Sequence, residues 1–432
     1  MNFFFKAIDN SPLIVFRIFF GFLVACESFG AIVTGWVKRV FIDPEFTFSF
    51  IGFEWLQPLP GYGMYCYFIL MGFFGLAIML GYRYRIAIIA YTLLWAGAYF
   101  MQKSSYNNHY YLLLLISLLL IFLPANRYAS LDVKQDRVKE ENTMPYWISF
   151  LFIIQIAIVY IFASIAKLYP DWLDGTFTRN LLADSTKVIA LKKLFLHKWF
   201  FMFIAYMGIL FDLLIVPLLL FKRTRIFALI ASLIFHLFNA VFLEIGIFPF
   251  FALTFALFFY EPETIRRLFL SKKPKLEDEN LSHNFYGKRF VYFLMIPYLI
   301  IQIALPLRHH FIEGDVLWTE EGHRLSWRMM LRERNGYIAI KIKDTISGEV
   351  SIYNYRKNLT DKQAQNLATK PDFIWQYCQH IKEEYKGKPI AIYIDCKNSI
   401  NRKEYKTLID PKFDMAKAKW SHFKHNKWIE LQ

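Results

Sequence analysis

The chain predicts an all-α polytopic membrane domain of about nine transmembrane helices over residues 1–307, followed by a small α+β extramembrane domain over residues 308–432. Three observations carry this expectation. The 432 residues are 56% hydrophobic and 19% aromatic, too apolar for one soluble domain of that length. Apolar runs long enough for about 30 Å of hydrocarbon recur through the first three quarters of the chain. Only after residue 308 does the composition turn polar and the periodicity shorten to two.

The runs fall near 12–34, 64–82, 86–102, 108–125, 146–168, 200–221, 225–243, 245–260 and 289–307. The first lacks a small-residue cleavage site after its apolar stretch, so it reads as a retained span. With a cytoplasmic N-terminus, the inside loops carry YRYR (82–85), NRYASLDVKQDRVK (126–139), KRTR (222–225) and RRLFLSKKPK (266–275). All are basic, as the positive-inside rule asks, and the C-terminal domain then lies on the outer side. The formal charge of +15 is spread over these loops rather than gathered on one helix, which argues against nucleic acid as the partner. Residues 261–288 read as a cytoplasmic connection. An integral membrane protein of a bacterial inner membrane is expected, with a periplasmic C-terminal domain.

Beyond residue 308, YIAIKIKD and EVSIYNY alternate like two strands around a DTISG turn. TDKQAQNLATKPDFIWQYCQHIKEEY reads as a helix interrupted at Lys-Pro, and PIAIYIDCKN as a further strand. Of the four cysteines, Cys378 and Cys396 fall in this outer region, where a disulfide is permitted but not dictated.

Walker, GxGxxG, HExxH and CxxC patterns are missing, which leaves nucleotide and metal-hydrolase chemistry without support; no metal is expected. Chemistry then falls to polar residues at membrane depth. Asn107, Asn108 and His109 open the fourth span, as helix caps or as groups that orient a substrate. Lys167 ends the fifth, either snorkelling or acting. His236 and Asn239 lie one turn apart in the seventh, as a helix cross-link or a site. In EEGHRLSWRMMLRERNG (320–336), Arg324, Arg328, Arg332 and Arg334 surround Trp327, suited to a carboxylate or to lipid phosphates.

NNHYYL, IAKLYPDWLDG, FHLFNAVFLEIGIFPF, SWRMM and IDPKFDMAKAKW, in that order, resemble the vitamin K-dependent gamma-carboxylase and its bacterial relatives with an HTTM domain. The resemblance implies a membrane enzyme that oxidises reduced vitamin K (the hydroquinone) with oxygen to the epoxide and, in the animal enzyme, adds carbon dioxide to glutamate in a peptide or protein. It implies catalytic roles for Lys167, His109 and Asn108, and cofactor contacts from Asn107, His236 and Asn239. Trp327, Met329 and Met330, with Arg328 and His323 beside them, would border the glutamate site. Two departures accompany it: the chain ends soon after IDPKFDMAKAKW, and GHRL stands where the animal enzyme has aromatics at the positions of His323 and Leu325.

A lysine is protonated at neutral pH. To act as a base on the quinol, Lys167 requires apolar burial that disfavours the cation. The sequence puts no carboxylate three or four residues before it, and Pro170 should end the helix before Asp171 reaches it. Asn108 and His109 would hold the quinol oxygen.

Overall fold

The computed structural model describes residues 2–185, 189–242, 246–276 and 288–432. Each of the nine apolar runs meets a helix: α1 Ser11–Val33, α2 Gly63–Leu80, α3 Tyr84–Met101, α4 Asn108–Phe122, α5 Trp147–Ala166, α6 Lys198–Leu220, α7 Arg225–Phe242, α8 Phe248–Thr254 and α9 Lys288–Phe311. Among the described residues, six of these are long and apolar enough to cross a bilayer; α4 and α8 are shorter, and α7 is described only as far as Phe242. Of the nine expected spans, six therefore have the length and composition to cross among the described residues. The physical reasons are local. Asn107 caps α4, its Oδ1 accepting from the Tyr110 N–H at 2.7 Å, and Leu123 turns extended before Pro124, so 15 residues cover only about 22 Å. The eighth segment tightens into a 3-10 turn at Phe255–Phe258 after one short helical stretch.

Helices α1 and α2 cross at small residues. A Cβ on Gly21 would meet the Met79 backbone nitrogen at 2.3 Å, and one on Gly75 would meet that of Ala25 at 2.8 Å. That backbone approach is how apolar helices associate without a hydrophobic driving force. Two buried cations fasten one end of the bundle. The Arg17 guanidinium donates to the carbonyls of Ala125 (3.0 Å) and Ala129 (2.7 Å), and Lys273 donates to Asp9 and Asn10, both at 2.6 Å. Asp9 belongs to a two-stranded ribbon, β1 Ala7–Asp9 with β2 Thr143–Pro145. The connection at 261–288 contains a helix, Pro262–Phe269; residues 277–287 and 243–245 lie outside the described residues.

The opposite end carries the extramembrane unit. Its antiparallel sheet runs β4-β3-β5-β6, with β3 Arg334–Asp344, β4 Val350–Tyr353, β5 Ile390–Ile400 and β6 Lys406–Thr407. β3 and β5 pair from Arg334↔Ile400 to Asp344↔Ile390. The expected strands and the break at Lys370-Pro371 are all present, the latter separating α10 Asp361–Thr369 from α11 Pro371–Glu384. Ile338, Ile340 and Ile342 alternate inward against Leu367, Phe373 and Tyr377. Cys378 and Cys396 are buried in this core as free thiols, so the permitted disulfide is not formed. The α1–α2 loop reaches the same core, where Phe48 lies 4.5 Å from the Phe373 ring.

Candidate active site

A cleft of about 400 Å³ lies where the first turn of α4 faces the extramembrane unit. Tyr106, Asn107, Asn108 and His109 form its membrane-side wall. The segment before β3 supplies a second wall with His323, Arg324, Arg328, Met329 and Met330. Helix α10 supplies a third with Lys362, Gln365, Asn366 and Thr369, ending at Lys370.

The cap that starts α4 also aims its polar side chains. Asn108 Oδ1 accepts from the Tyr106 hydroxyl at 2.9 Å and its Nδ2 donates to the Arg328 carbonyl at 3.1 Å. This ties the membrane domain to the second wall and leaves the amide with one further donor and acceptor. The His109 ring stacks on Phe248, centroids 3.7 Å apart, which fixes its plane at the cleft edge. Asn107 spends its side-chain oxygen on the cap.

The second wall is held in sparsely populated backbone. Glu320, Leu325, Trp327 and Met330 have φ of 62°, 60°, 57° and 48°, the left-handed region that side chains other than glycine seldom adopt. Such clustering is found where surrounding packing enforces a functional shape. The enforcing contacts are visible: Trp327 is buried and stacks on Tyr111 at 4.9 Å, and the Leu325 N–H donates to the Tyr106 hydroxyl at 2.7 Å.

Charge in the cleft is lopsided. Arg332 and Arg334 both pair with Glu320, whose carboxyl is pushed up by burial but held well below its ordinary range by these two guanidinium groups. Arg324 forks onto Asp372 at 2.7 and 3.2 Å, and Lys103 joins the same carboxylate at 2.8 Å. Burial, with Arg332 beside it, pushes His323 well below its usual range, so it stands neutral. Among the described residues, Arg328, Lys362 and Lys370 have no carboxylate within ion-pairing distance. The cleft thus presents more cations than carboxylates beside an imidazole, an amide and two methionines.

Not every expected site residue reaches it. Asn107, Asn108, His109, His323, Arg328, Met329 and Met330 line the cleft; Lys167, His236, Asn239 and Trp327 do not. Trp327 lies beneath the wall as its anchor. His236 is buried on α7, its Nε2 3.1 Å from the Tyr160 hydroxyl, a helix cross-link; it stands edge-on at 6.1 Å to Phe248, the ring that His109 stacks on. Asn239 is half-buried one turn further along α7. Lys167 is the C-cap of α5, buried at 8% exposure, with its Nζ in an ion pair with Asp212 of α6. The expectation of a buried amine without an acidic partner is corrected by that carboxylate. Asp171 does turn away as Pro170 required, pairing with Lys403 at 2.5 Å and Asn401 at 2.8 Å. Leu331 lines the cleft on one side and on the other packs in the cluster that holds Trp172, over whose ring Lys167 sits at 5.4 Å. Asp212 was findable from sequence: it is the lone charge in the apolar run LFDLLIVPLLL, and acids at such depth are costly.

Comparison with known proteins follows the same two-part division. A family model described as the HTTM domain matches residues 5–263, and one described as the lumenal domain of vitamin K-dependent gamma-carboxylase matches residues 287–432. No solved structure matches the chain. Apolar helices able to span a bilayer, the sheet-bearing outer unit and the two consecutive matches agree, and the chain is an integral membrane protein that belongs to the HTTM-containing vitamin K-dependent gamma-carboxylase family.

Proposed function

We propose that this chain is a membrane enzyme that oxidises a reduced vitamin K-type quinol and couples the oxidation to carboxylation of glutamate in a peptide supplied from the outer side. The observation that carries the reading is the cleft itself, where His109 and Asn108 at the bilayer end face cations left without carboxylates. Two different partners would suit those two walls. An aromatic diol fits between the first wall, where Asn108 retains hydrogen-bonding capacity, and the apolar surface that Met329, Met330 and Leu331 turn toward it. A carboxylate fits the second, because desolvated cations gain most from a charge-assisted partner. When bound, reduced vitamin K would supply, with oxygen, the oxidation that drives the carboxylation.

The residues of the chain would act around that chemistry. Asn108, braced by Tyr106 and the Arg328 carbonyl, orients an oxygen without moving. His109, pinned by Phe248, offers a ring nitrogen at a fixed place. Lys167 stands as the proposed base with Asp212 as its partner: passing a proton from Nζ to the Asp212 carboxylate leaves a neutral pair, an arrangement that avoids two buried charges. His236, joined to Tyr160, supports the packing behind Phe248. The N-terminus would be cytoplasmic and the outer unit, residues 308–432, periplasmic.

The test uses purified protein in detergent with vitamin K hydroquinone and oxygen. Epoxide is followed by chromatography, and labelled carbon dioxide is followed into a short glutamate peptide. Wild-type protein should yield both products, and His109→Ala and Lys167→Ala should yield neither while remaining folded. Epoxide formed at the wild-type rate by Lys167→Ala would remove that lysine from the chemistry. Epoxide without labelled peptide would restrict the function to quinol oxidation.

A further inference from the structure

Helix α10 presents Lys362, Gln365, Asn366 and Thr369 to the cleft at spacings of three, four and seven, one continuous face, and Lys370 follows as its C-cap. The opposite face is core: Ala364, Leu367 and Ala368 are buried against the sheet. The cleft face therefore has a cation at each end and uncharged amides between. Its position is fixed by contacts with the α3–α4 loop, Lys362 Nζ to Ser105 Oγ at 3.3 Å and Asn366 Nδ2 to the Ser104 carbonyl at 3.3 Å. At the other end Lys370 stands among Arg324, Glu320, Asp372 and Arg332, its charge opposed by burial. At 1.5 Å of rise per residue the two lysines are about 12 Å apart along the axis.

We infer that α10 reads the acceptor as an extended segment carrying two acidic side chains roughly four positions apart, the modified glutamate at the Lys370 end and a second acid at Lys362. The inference rests on the proposed carboxylation and adds to it which side chains select the peptide. An extended chain advances about 3.3 Å per residue, so four residues cover the distance between the two cations. Gln365 and Asn366 lie between them, suited to the backbone amides of such a segment as side chains that both donate and accept. Lys362, the cation assigned to the second acid, has no carboxylate within ion-pairing distance among the described residues, so that acid has an open cation to meet.

Fluorescent peptides with one glutamate, or with a second glutamate one, four or eight positions away, would be bound to full-length protein in nanodiscs of neutral lipid. The four-spaced peptide should bind roughly tenfold more tightly than the single-glutamate peptide, a gain typical of one charge-assisted contact. Lys362→Ala should abolish that gain and Lys362→Arg should keep it. Equal affinity for all peptides, a gain that survives Lys362→Ala, or displacement of the four-spaced peptide by anionic-lipid nanodiscs would each overturn the inference, the last assigning the cations to lipid headgroups. Labelled carbon dioxide measured in the same samples separates the two ideas: spacing-selective binding without transfer sinks the carboxylation and leaves the peptide-reading face standing, whereas transfer without spacing selectivity does the reverse.

Discussion

Lys167 and Asp212 face each other from the ends of α5 and the middle of α6, 45 residues apart in sequence, and form a buried ion pair behind the wall of the cleft. Both helices are further tied there: Ser164 Oγ donates to the Ile209 carbonyl at 3.2 Å, and Trp172 Nε1 donates to that of Ala205 at 2.9 Å. The pair consequently has a structural part as well as the proposed chemical one, and the two must be separated experimentally.

Removing one partner leaves the other buried and uncompensated. Asp212→Asn or Lys167→Met should each destabilise the protein by about 3–5 kcal/mol. The double variant Lys167→Met with Asp212→Leu should recover most of that loss, because apolar replacement of both partners is often neutral. Thermal unfolding in detergent measures the recovery, and epoxide assays measure activity. A double variant that is stable and inactive supports a chemical role, whereas stable and active protein would reduce the pair to a helix fastener.

The stack of His109 on Phe248 makes a second, independent prediction. Phe248→Ala should lower turnover several-fold while leaving the peptide affinity unchanged, since an aromatic pair contributes about 0.5–1.5 kcal/mol beyond its area. Phe248→Tyr should retain most of the activity by keeping the ring. Loss in both variants to the same degree would point to general packing rather than orientation of the imidazole.

Asp372 predicts how the outer unit responds to acid. Burial raises its carboxyl, but Arg324 and Lys103 outweigh that and hold it down at about 2. In the unfolded chain the same group titrates near 3.9. The folded value is the lower one, so the stabilisation is present above about pH 4 and is lost as pH falls toward 2, amounting to about 3 kcal/mol. Unfolding followed by near-UV circular dichroism over that window should show the loss. Asp372→Asn should be less stable at neutral pH and lack this part of the acid dependence; an unchanged profile would contradict the assignment.

Lys370 predicts the alkaline limit of acceptor binding. Burial, with Arg324 beside it, pushes this lysine down to about 8. It is a cation below that value and neutral above, so affinity for an acidic peptide should fall as pH rises through 8. Lys370→Arg, charged throughout, should carry binding past pH 9. His323 is neutral across this range and adds no competing transition. Peptide affinity measured from pH 7 to 9.5 checks the sign, and a binding curve that rises with pH would refute it.

Much of the architecture could be read from local pattern because local pattern caused it. Apolar runs located all nine helical segments, although their lengths depended on the Asn107 cap, on Pro124 and on the 3-10 turn that ends α8. Alternation in YIAIKIKD and the Lys370-Pro371 break gave the outer unit its strands and its two helices. Polar residues out of place in apolar surroundings singled out Asn108 and His109, the arginine cluster gave Arg328 and the resemblance added Met329; all four share one cleft. The same criterion applied to Asp212 would have found it, and applied to α10 the spacing of Lys362, Gln365, Asn366 and Thr369 would have marked a face.

What the order of residues determined on its own was therefore each element and which of its faces is apolar, since those follow from neighbours a few positions away. Which groups meet was decided only in three dimensions. Lys167 found a carboxylate on another helix, His236 took the Tyr160 hydroxyl as its partner outside the cleft, and Trp327 went beneath the cleft instead of into it. A buried charge takes the partner that packing brings within reach, and packing is a property of the whole chain.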